Sequence, residues 1–339
     1  MSKVYGLILA GAFLALCSAP LAAQEFEEPQ EPPRFEADES QRPQRSGSNW
    51  SFSLGFGGDF SPDYDGSDDY QGSPLPIIAV TYRERFFFST EEGGLGAVLF
   101  EGDWLSANAF VGYDFGRDAG DSGAGGGTTG GTDDNDALRG FKKVDGTVMA
   151  GVSVDAFVGF AEASLGYSQG FGGHKGGLLD FGLSWPIPLR QDETMGLELG
   201  ISGSWATKDY MKAYFGVTQE EACDHNRDPK ISMLRAGMTA PACGATAAML
   251  NMALDPVGKD DLLYRAAEAN PNGYEAKAGI MSYGASAAFF WQFARKWEAG
   301  VFVDYIQLAG DAADSPLVEI AGTESQISGG ISISYRFGR

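Results

Sequence analysis

The sequence predicts an all-β fold: a transmembrane antiparallel up-and-down β-barrel of about twelve strands, of the bacterial outer-membrane type. Three observations predict it. Apolar and polar residues alternate with period two in segment after segment, isolated carboxylates stand on the polar faces of those segments, and short connections alternate with long ones rich in Gly and Asp. Composition points the same way, with Gly at 48 of 339 residues, about twice its usual share of roughly 7%, and aromatics at 12%. Asp and Glu outnumber Lys and Arg by 46 to 24, and the formal charge of −22 excludes a basic nucleic-acid binder.

The chain opens with Lys3, an apolar run from Val4 to Leu16, and then Ser18-Ala19-Pro20-Leu21-Ala22-Ala23. This is the pattern of a signal peptide over residues 1–23, cut after Ala23, and the run is shorter than the roughly 20 apolar residues of a spanning helix. Bulky Leu16 before Cys17 argues against a lipid anchor. Residues 24–48 carry Pro29, Pro32, Pro33 and Pro43 among Glu, Gln and Arg, too little apolar surface to order, and read as a disordered periplasmic tail. Loss of the signal removes Cys17 and leaves Cys223 and Cys243, which in an oxidising compartment suit one disulfide. Such a bond closes a loop of about 20 residues and contributes roughly 3 kcal/mol if unstrained. The alternative, a metal site from Cys223, His225 and Cys243, lacks a fourth ligand.

The barrel spans residues 49–339. In the first strand, 49–60, Trp50, Phe52, Leu54, Phe56 and Phe60 alternate with Ser51, Ser53, Gly55 and Asp59. Further strands are expected at 75–83, 86–92, 94–100, 104–116, 146–157, 160–170, 177–189, 194–206, 274–292, 297–309 and 324–337. The pair within 86–100 is the weakest, since one strand there would change the count to ten. The last strand is the cleanest, with Ile327, Ile331, Ile333, Tyr335 and Phe337 opposing Gln326, Ser328, Ser332, Ser334 and Arg336.

A soluble sandwich also alternates, so the choice between sandwich and barrel rests elsewhere. Trp50, Phe60, Trp104, Phe115, Trp297 and Tyr305 stand near strand ends, where membrane girdles form. Asp155, Glu162, Asp180, Glu198 and Asp304 fall on polar faces; a dry core rejects them and a wet lumen accepts them. The turns at 83–85, 102–103, 158–159, 190–193 and 294–296 are short and periplasmic, whereas 61–74, 117–145, 207–273 and 310–323 are long and external. A lumen lined by those acids favours cations; in a closed lumen they pair with Arg336, Lys143 or one another.

Catalysis finds little support. The chain has two histidines: His174, in a glycine-rich loop tip that predicts solvated surface, and His225, in the inserted loop; no serine is placed beside either. The run Gly120 to Gly131 precedes no helix suited to a phosphate cradle and reads as a flexible outer loop. Asp63, Asp65, Asp68 and Asp69 lack calcium-loop spacing and a terminal Glu, so they read as a solvated turn. No cofactor is expected.

The loops carry a family resemblance. Ser61-Pro62-Asp63-Tyr64-Asp65-Gly66-Ser67-Asp68-Asp69-Tyr70 followed by Pro74-Leu75-Pro76, Tyr113-Asp114-Phe115-Gly116-Arg117 followed by Leu138-Arg139-Gly140, Trp205 followed by Asp209-Tyr210-Met211 and Tyr214-Phe215-Gly216-Val217-Thr218, and Leu308-Ala309-Gly310-Asp311-Ala312-Ala313-Asp314-Ser315-Pro316-Leu317-Val318 resemble, in order, four signatures of the MipA/OmpV family of outer-membrane proteins. The acidic tail at 24–48, the insertion at about 223–271 and the ending Phe337-Gly338-Arg339 depart from its pattern. The resemblance implies a non-catalytic barrel that acts as a scaffold bringing a lytic transglycosylase together with a penicillin-binding protein. OmpV-like members imply instead adhesion or a response to cationic antibiotics. The partners so implied are outer-membrane lipid and lipopolysaccharide, periplasmic murein enzymes, and the barrel-assembly machinery reading Tyr335 and Phe337.

Overall fold

The computed structural model describes residues 49–90, 93–117, 143–192, 194–218, 273–319 and 322–337. The signal peptide, the 24–48 tail, Cys223, Cys243, His225, the 223–271 insertion and the Gly120–Gly131 run lie outside the described residues. Twelve strands close one antiparallel barrel: β1 Trp50–Pro62, β2 Tyr70–Tyr82, β3 Phe86–Ser89, β4 Gly94–Glu101, β5 Leu105–Asp114, β6 Thr147–Val158, β7 Ala161–Gly172, β8 Gly177–Pro188, β9 Met195–Ala206, β10 Gly279–Ala294, β11 Trp297–Leu308 and β12 Ser325–Phe337. Each strand pairs with its sequence neighbours, and β12 closes on β1 from Phe52↔Phe337 to Phe60↔Gly329. Closure removes the sheet edges except beside the first part of β2, before Ala79, where the short β3 does not reach.

The stretch 86–100 does form two strands, β3 and β4. β3 has only four residues, and this explains the start of β2. The sequence predicts β2 over 75–83; the strand begins at Tyr70 and contains both Pro74 and Pro76. On β2 the partners of β3 are Ala79–Tyr82 alone, so the prolines lie where β2 has β1 on one side and no ladder on the other. A proline costs no ladder bond there. Thr90 bridges the gap: its Oγ1 accepts from Ile78 N–H at 3.0 Å and donates to Pro76 O at 2.8 Å. β10 begins at Gly279 rather than 274, because Tyr274 pairs with Val217 outside the barrel wall.

Period two separates two surfaces. Outward residues are apolar and exposed, as with Phe56 at 61%, Leu95 at 62% and Ile331 at 64%. So broad an apolar exterior is unfavourable in water, at about 25 cal/mol per Å2, and favourable in lipid. Aromatic pairs band both ends: Trp50–Tyr82 at 4.4 Å and Trp297–Tyr335 at 5.0 Å at the short-turn end, Phe60–Tyr70 at 5.0 Å and Tyr113–Phe115 at 5.1 Å at the long-loop end.

Inward residues include many Ser and Gly, several acids and a few phenylalanines. Phe87, Phe110, Phe290 and Phe302 each register opposite a glycine, Gly96, Gly151, Gly196 and Gly330, and each ring lies where that glycine's Cβ would stand. The rings thus cover bare backbone and reduce the lumen's width, a cross-strand packing device.

Candidate functional site: a capped mouth above an acidic lumen

At the long-loop end the chain folds back over the barrel mouth. After β9, Thr207 leads into α1, Lys208–Tyr214, which buries Tyr210, Met211 and Tyr214. These residues and Phe215 pack on inward wall residues Leu178, Ala206 and Leu308, on Met281 at the β10 bulge, and on Val144, Ala276, Ala312, Ala313 and Val318 from the loops. Gly176 makes this approach possible, since a Cβ there would stand 2.3 Å from the Tyr210 nitrogen. A 3-10 turn, Gly310–Ala312, and a single helical turn, α2, Pro316–Glu319, complete the cap.

Buried polar groups fasten the cap to the wall. Tyr214 OH donates to Asp114 Oδ2 at 2.7 Å, Gly116 N–H donates to Asp114 Oδ1 at 2.8 Å, and Arg117 Nη1 donates to Tyr214 O at 2.6 Å. Gly116 is at φ +73°, with the Val144 carbonyl where a side chain would go. Ser315 Oγ donates to Phe215 O at 2.7 Å, and Gln326 Nε2 on β12 donates to Tyr64 O at 3.4 Å and to Ser67 O at 3.3 Å. Tyr274 OH donates to Asp311 O, and Asp311 Oδ2 accepts from Lys277 N–H.

His174 is corrected from solvated surface to a buried member of this network, at 6% exposure. Its Nδ1 accepts from Gly176 N–H at 3.0 Å, so the ring proton resides on Nε2, which faces Asp114 Oδ2 at 3.2 Å. The ring meets Tyr210 edge-on at 5.1 Å, and Tyr210 stacks on Tyr214 at 4.6 Å. Sequence reasoning missed Asp114 and His174 as site residues. The available signal was Asp114 inside the second motif, next to Gly116 and Arg117.

The motif residues divide accordingly. Tyr64, Gly66, Ser67, Gly116, Arg117, Tyr210, Met211, Tyr214, Phe215, Val217, Ala312, Ser315 and Pro316 are buried in the cap. Asp68, Asp69, Gly310 and Asp314 are exposed, while Asp63, Gly216 and Asp311 are half-buried. Tyr70 stands on β2, stacked on Phe60. The 63–69 segment is a turn held by its own bonds, Asp63 N–H to Asp69 O at 3.1 Å and Asp69 N–H to Ser67 Oγ at 3.1 Å. Burial pushes the Tyr64 phenol up to about 12. Tyr214 is raised further, by burial and then by Asp114, and Tyr274 is raised by burial and Asp311.

Below the cap, Asp155, Glu162, Asp180, Glu198 and Asp304 share the inward phase with Glu298 and Arg336. Ser204 Oγ donates to Asp180, Ser106 Oγ donates to Asp155 at 3.4 Å, and Arg336 Nη2 lies 3.8 Å from Glu298 Oε2. Tyr335 and Phe337 stand on the exterior of β12, their rings 4.6 Å apart.

Buried motif loops over a barrel mouth invite comparison with known proteins. A family model described as MltA-interacting protein MipA matches residues 54–240 and 264–337. The chain belongs to this family. Membership and the apolar exterior together support a place in the outer membrane. No curated protein matches the chain. Among solved structures, the NanC porin overlaps at TM-score 0.37 with 7% identity, covering 83% of this chain and 98% of that one. The translocator domain of the autotransporter NalP from Neisseria meningitidis overlaps at 0.34 with 8% identity over 87% and 90%. The outer membrane channel DcaP of Acinetobacter baumannii does so at 0.29 with 7% identity over 85% and 96%. Overlaps this loose bear no weight on function.

Proposed function

We propose that the chain is a non-catalytic outer-membrane scaffold for murein-remodelling enzymes, holding a lytic transglycosylase and a penicillin-binding protein near one another. The observation that carries this reading is the cap: the family's motif loops are spent on closing the barrel mouth, which suits a barrel that presents surfaces rather than one that passes solutes. The family description, an interacting protein of the murein enzyme MltA, supports the same class of partner. His174 supports the absence of catalysis, because Nδ1 accepts a backbone N–H and Nε2 faces a carboxylate, leaving neither nitrogen to activate a hydroxyl.

The test is affinity isolation of the intact protein from native envelopes, alongside a chain lacking residues 24–48. Both enzymes are expected with the intact protein and less of each without the tail; recovery of neither enzyme with the intact protein overturns the scaffold. A second reading, a narrow cation-preferring channel, draws on the inward acids. Single-channel steps from the intact protein in a planar bilayer would favour it over the scaffold.

A further inference from the structure

The lumen wall toward the short-turn end gathers carboxylates across adjacent strands. Glu162 on β7 registers opposite Ser184 on β8, and Glu198 on β9 lies two residues from Gly200, the next partner of Ser184. Glu162 is within Coulombic reach of Asp155 and Glu198. Glu198 is 5% exposed, and its Oε1 is buried without a hydrogen-bond partner. A buried carboxylate oxygen left bare is strongly unfavourable, and it marks a place where a donor or a cation belongs. Arg336, which shares the inward phase, is engaged with Glu298.

The surroundings narrow the kind of cation. Phe157 is the register partner of Glu162, and Phe290, lying over Gly196, is the diagonal neighbour of Glu198 on the same inward face. Carboxylates with apolar ring neighbours in register suit an ammonium carrying an alkyl chain, the head meeting the oxygens and the chain the apolar neighbours. A metal ion suits them poorly: among the described residues no three His, Cys, Asp or Glu come together to hold one. An ammonium offers three N–H donors, and this wall offers three acceptors: Glu162, the Ser184 oxygen, whose own hydrogen goes to Glu198, and the Glu198 Oε1 that has no partner.

We propose that Glu162, Ser184 and Glu198 form a binding site for the primary ammonium group of a small aliphatic amine, which enters from the short-turn end because the cap occupies the other. The inference stands apart from the scaffold: it is read by ligand binding, the scaffold by protein recovery, and either can fail alone.

The experiment is isothermal titration of the full-length protein in detergent micelles with 1,5-diaminopentane, with tetramethylammonium and Mg2+ in parallel and circular dichroism to check each variant's strands. The expected result is one saturable site for the diamine and none for tetramethylammonium, which has no N–H to donate. Glu198→Gln should weaken the diamine at least tenfold, whereas Asp304→Asn, an inward acid on β11, should change it less than twofold. Should Glu198→Gln fail to fold, Ser184→Ala replaces it, with a weakening of at least threefold expected. No saturable binding to the wild type, equal weakening by Asp304→Asn, unchanged binding in Ser184→Ala, or tighter binding of Mg2+ or tetramethylammonium than of the diamine each overturns the site.

Discussion

Asp114 and His174 face one another inside the barrel mouth, Oδ2 to Nε2 at 3.2 Å. Tyr214 reaches the same carboxylate oxygen from α1, and Gly116 N–H holds the other. One side chain on β5 therefore ties the wall, the β7–β8 connection and the cap helix together. Tyr214→Phe removes a charge-assisted bond and should cost about 1.5–3 kcal/mol of cap stability. Asp114→Ala strands several buried donors, at about 1–3 kcal/mol each. Limited proteolysis followed by mass spectrometry should find cleavage within 207–217 in Asp114→Ala, less in Tyr214→Phe, with the strands intact in both.

Gly176 makes a sharper steric test. A side chain there meets the backbone of α1 at Tyr210, which cannot yield without lifting the helix. Gly176→Val should expose the 207–217 segment to protease as Asp114→Ala does, while the wild-type barrel signal in circular dichroism persists. A protected segment in Gly176→Val would mean that α1 does not seat against this connection.

Alkali should loosen the cap. Burial raises Tyr64 to about 12, from an ordinary phenol value near 10, so its stabilisation is complete below about pH 10 and is lost as pH rises toward 12. The sign follows from proton counting: between those values the unfolded segment has released its proton and the folded one has not. Tyr214 and Tyr274 shift in the same direction. Tyrosinate absorbance should therefore rise late and together with protease sensitivity of the cap, and Tyr64→Phe should delay the loosening.

Phe337 keeps the outward phase of Tyr335 and pairs with Phe52, although two further residues follow it in the chain. If assembly reads this aromatic, Phe337→Ala should lower the amount of folded protein recovered from outer membranes several-fold. Normal insertion of that variant would show that the terminal aromatic is dispensable here.

Strands were legible because lipid outside and a polar lumen inside force the alternation that a reader can see, and the twelve-strand ring follows from it. The start of β2 at Tyr70 rather than 75 was not legible, since the absence of a ladder beside Pro74 and Pro76 depends on the four-residue length of β3. His174 misled for a similar reason. Its glycine neighbours mark a loop tip correctly, but burial comes from α1, a segment more than thirty positions later. The motif loops were visible as patterns, yet their conversion into a packed core depends on contacts between parts of the chain far apart.

Those separations carry a consequence for biogenesis. Gln326 grips Tyr64 and Ser67 across 262 and 259 positions, while Asp114 with Tyr214 and Ser315 with Phe215 each span 100. Of these, the Gln326 bonds alone cross the β1–β12 seam, so the 63–69 turn gains them only when the ring closes, whereas the Asp114–Tyr214 bond joins parts of the chain that precede β12. A chain stalled before closure therefore lacks the Gln326 hold on the Tyr64 and Ser67 carbonyls while α1 already has its seat on the wall.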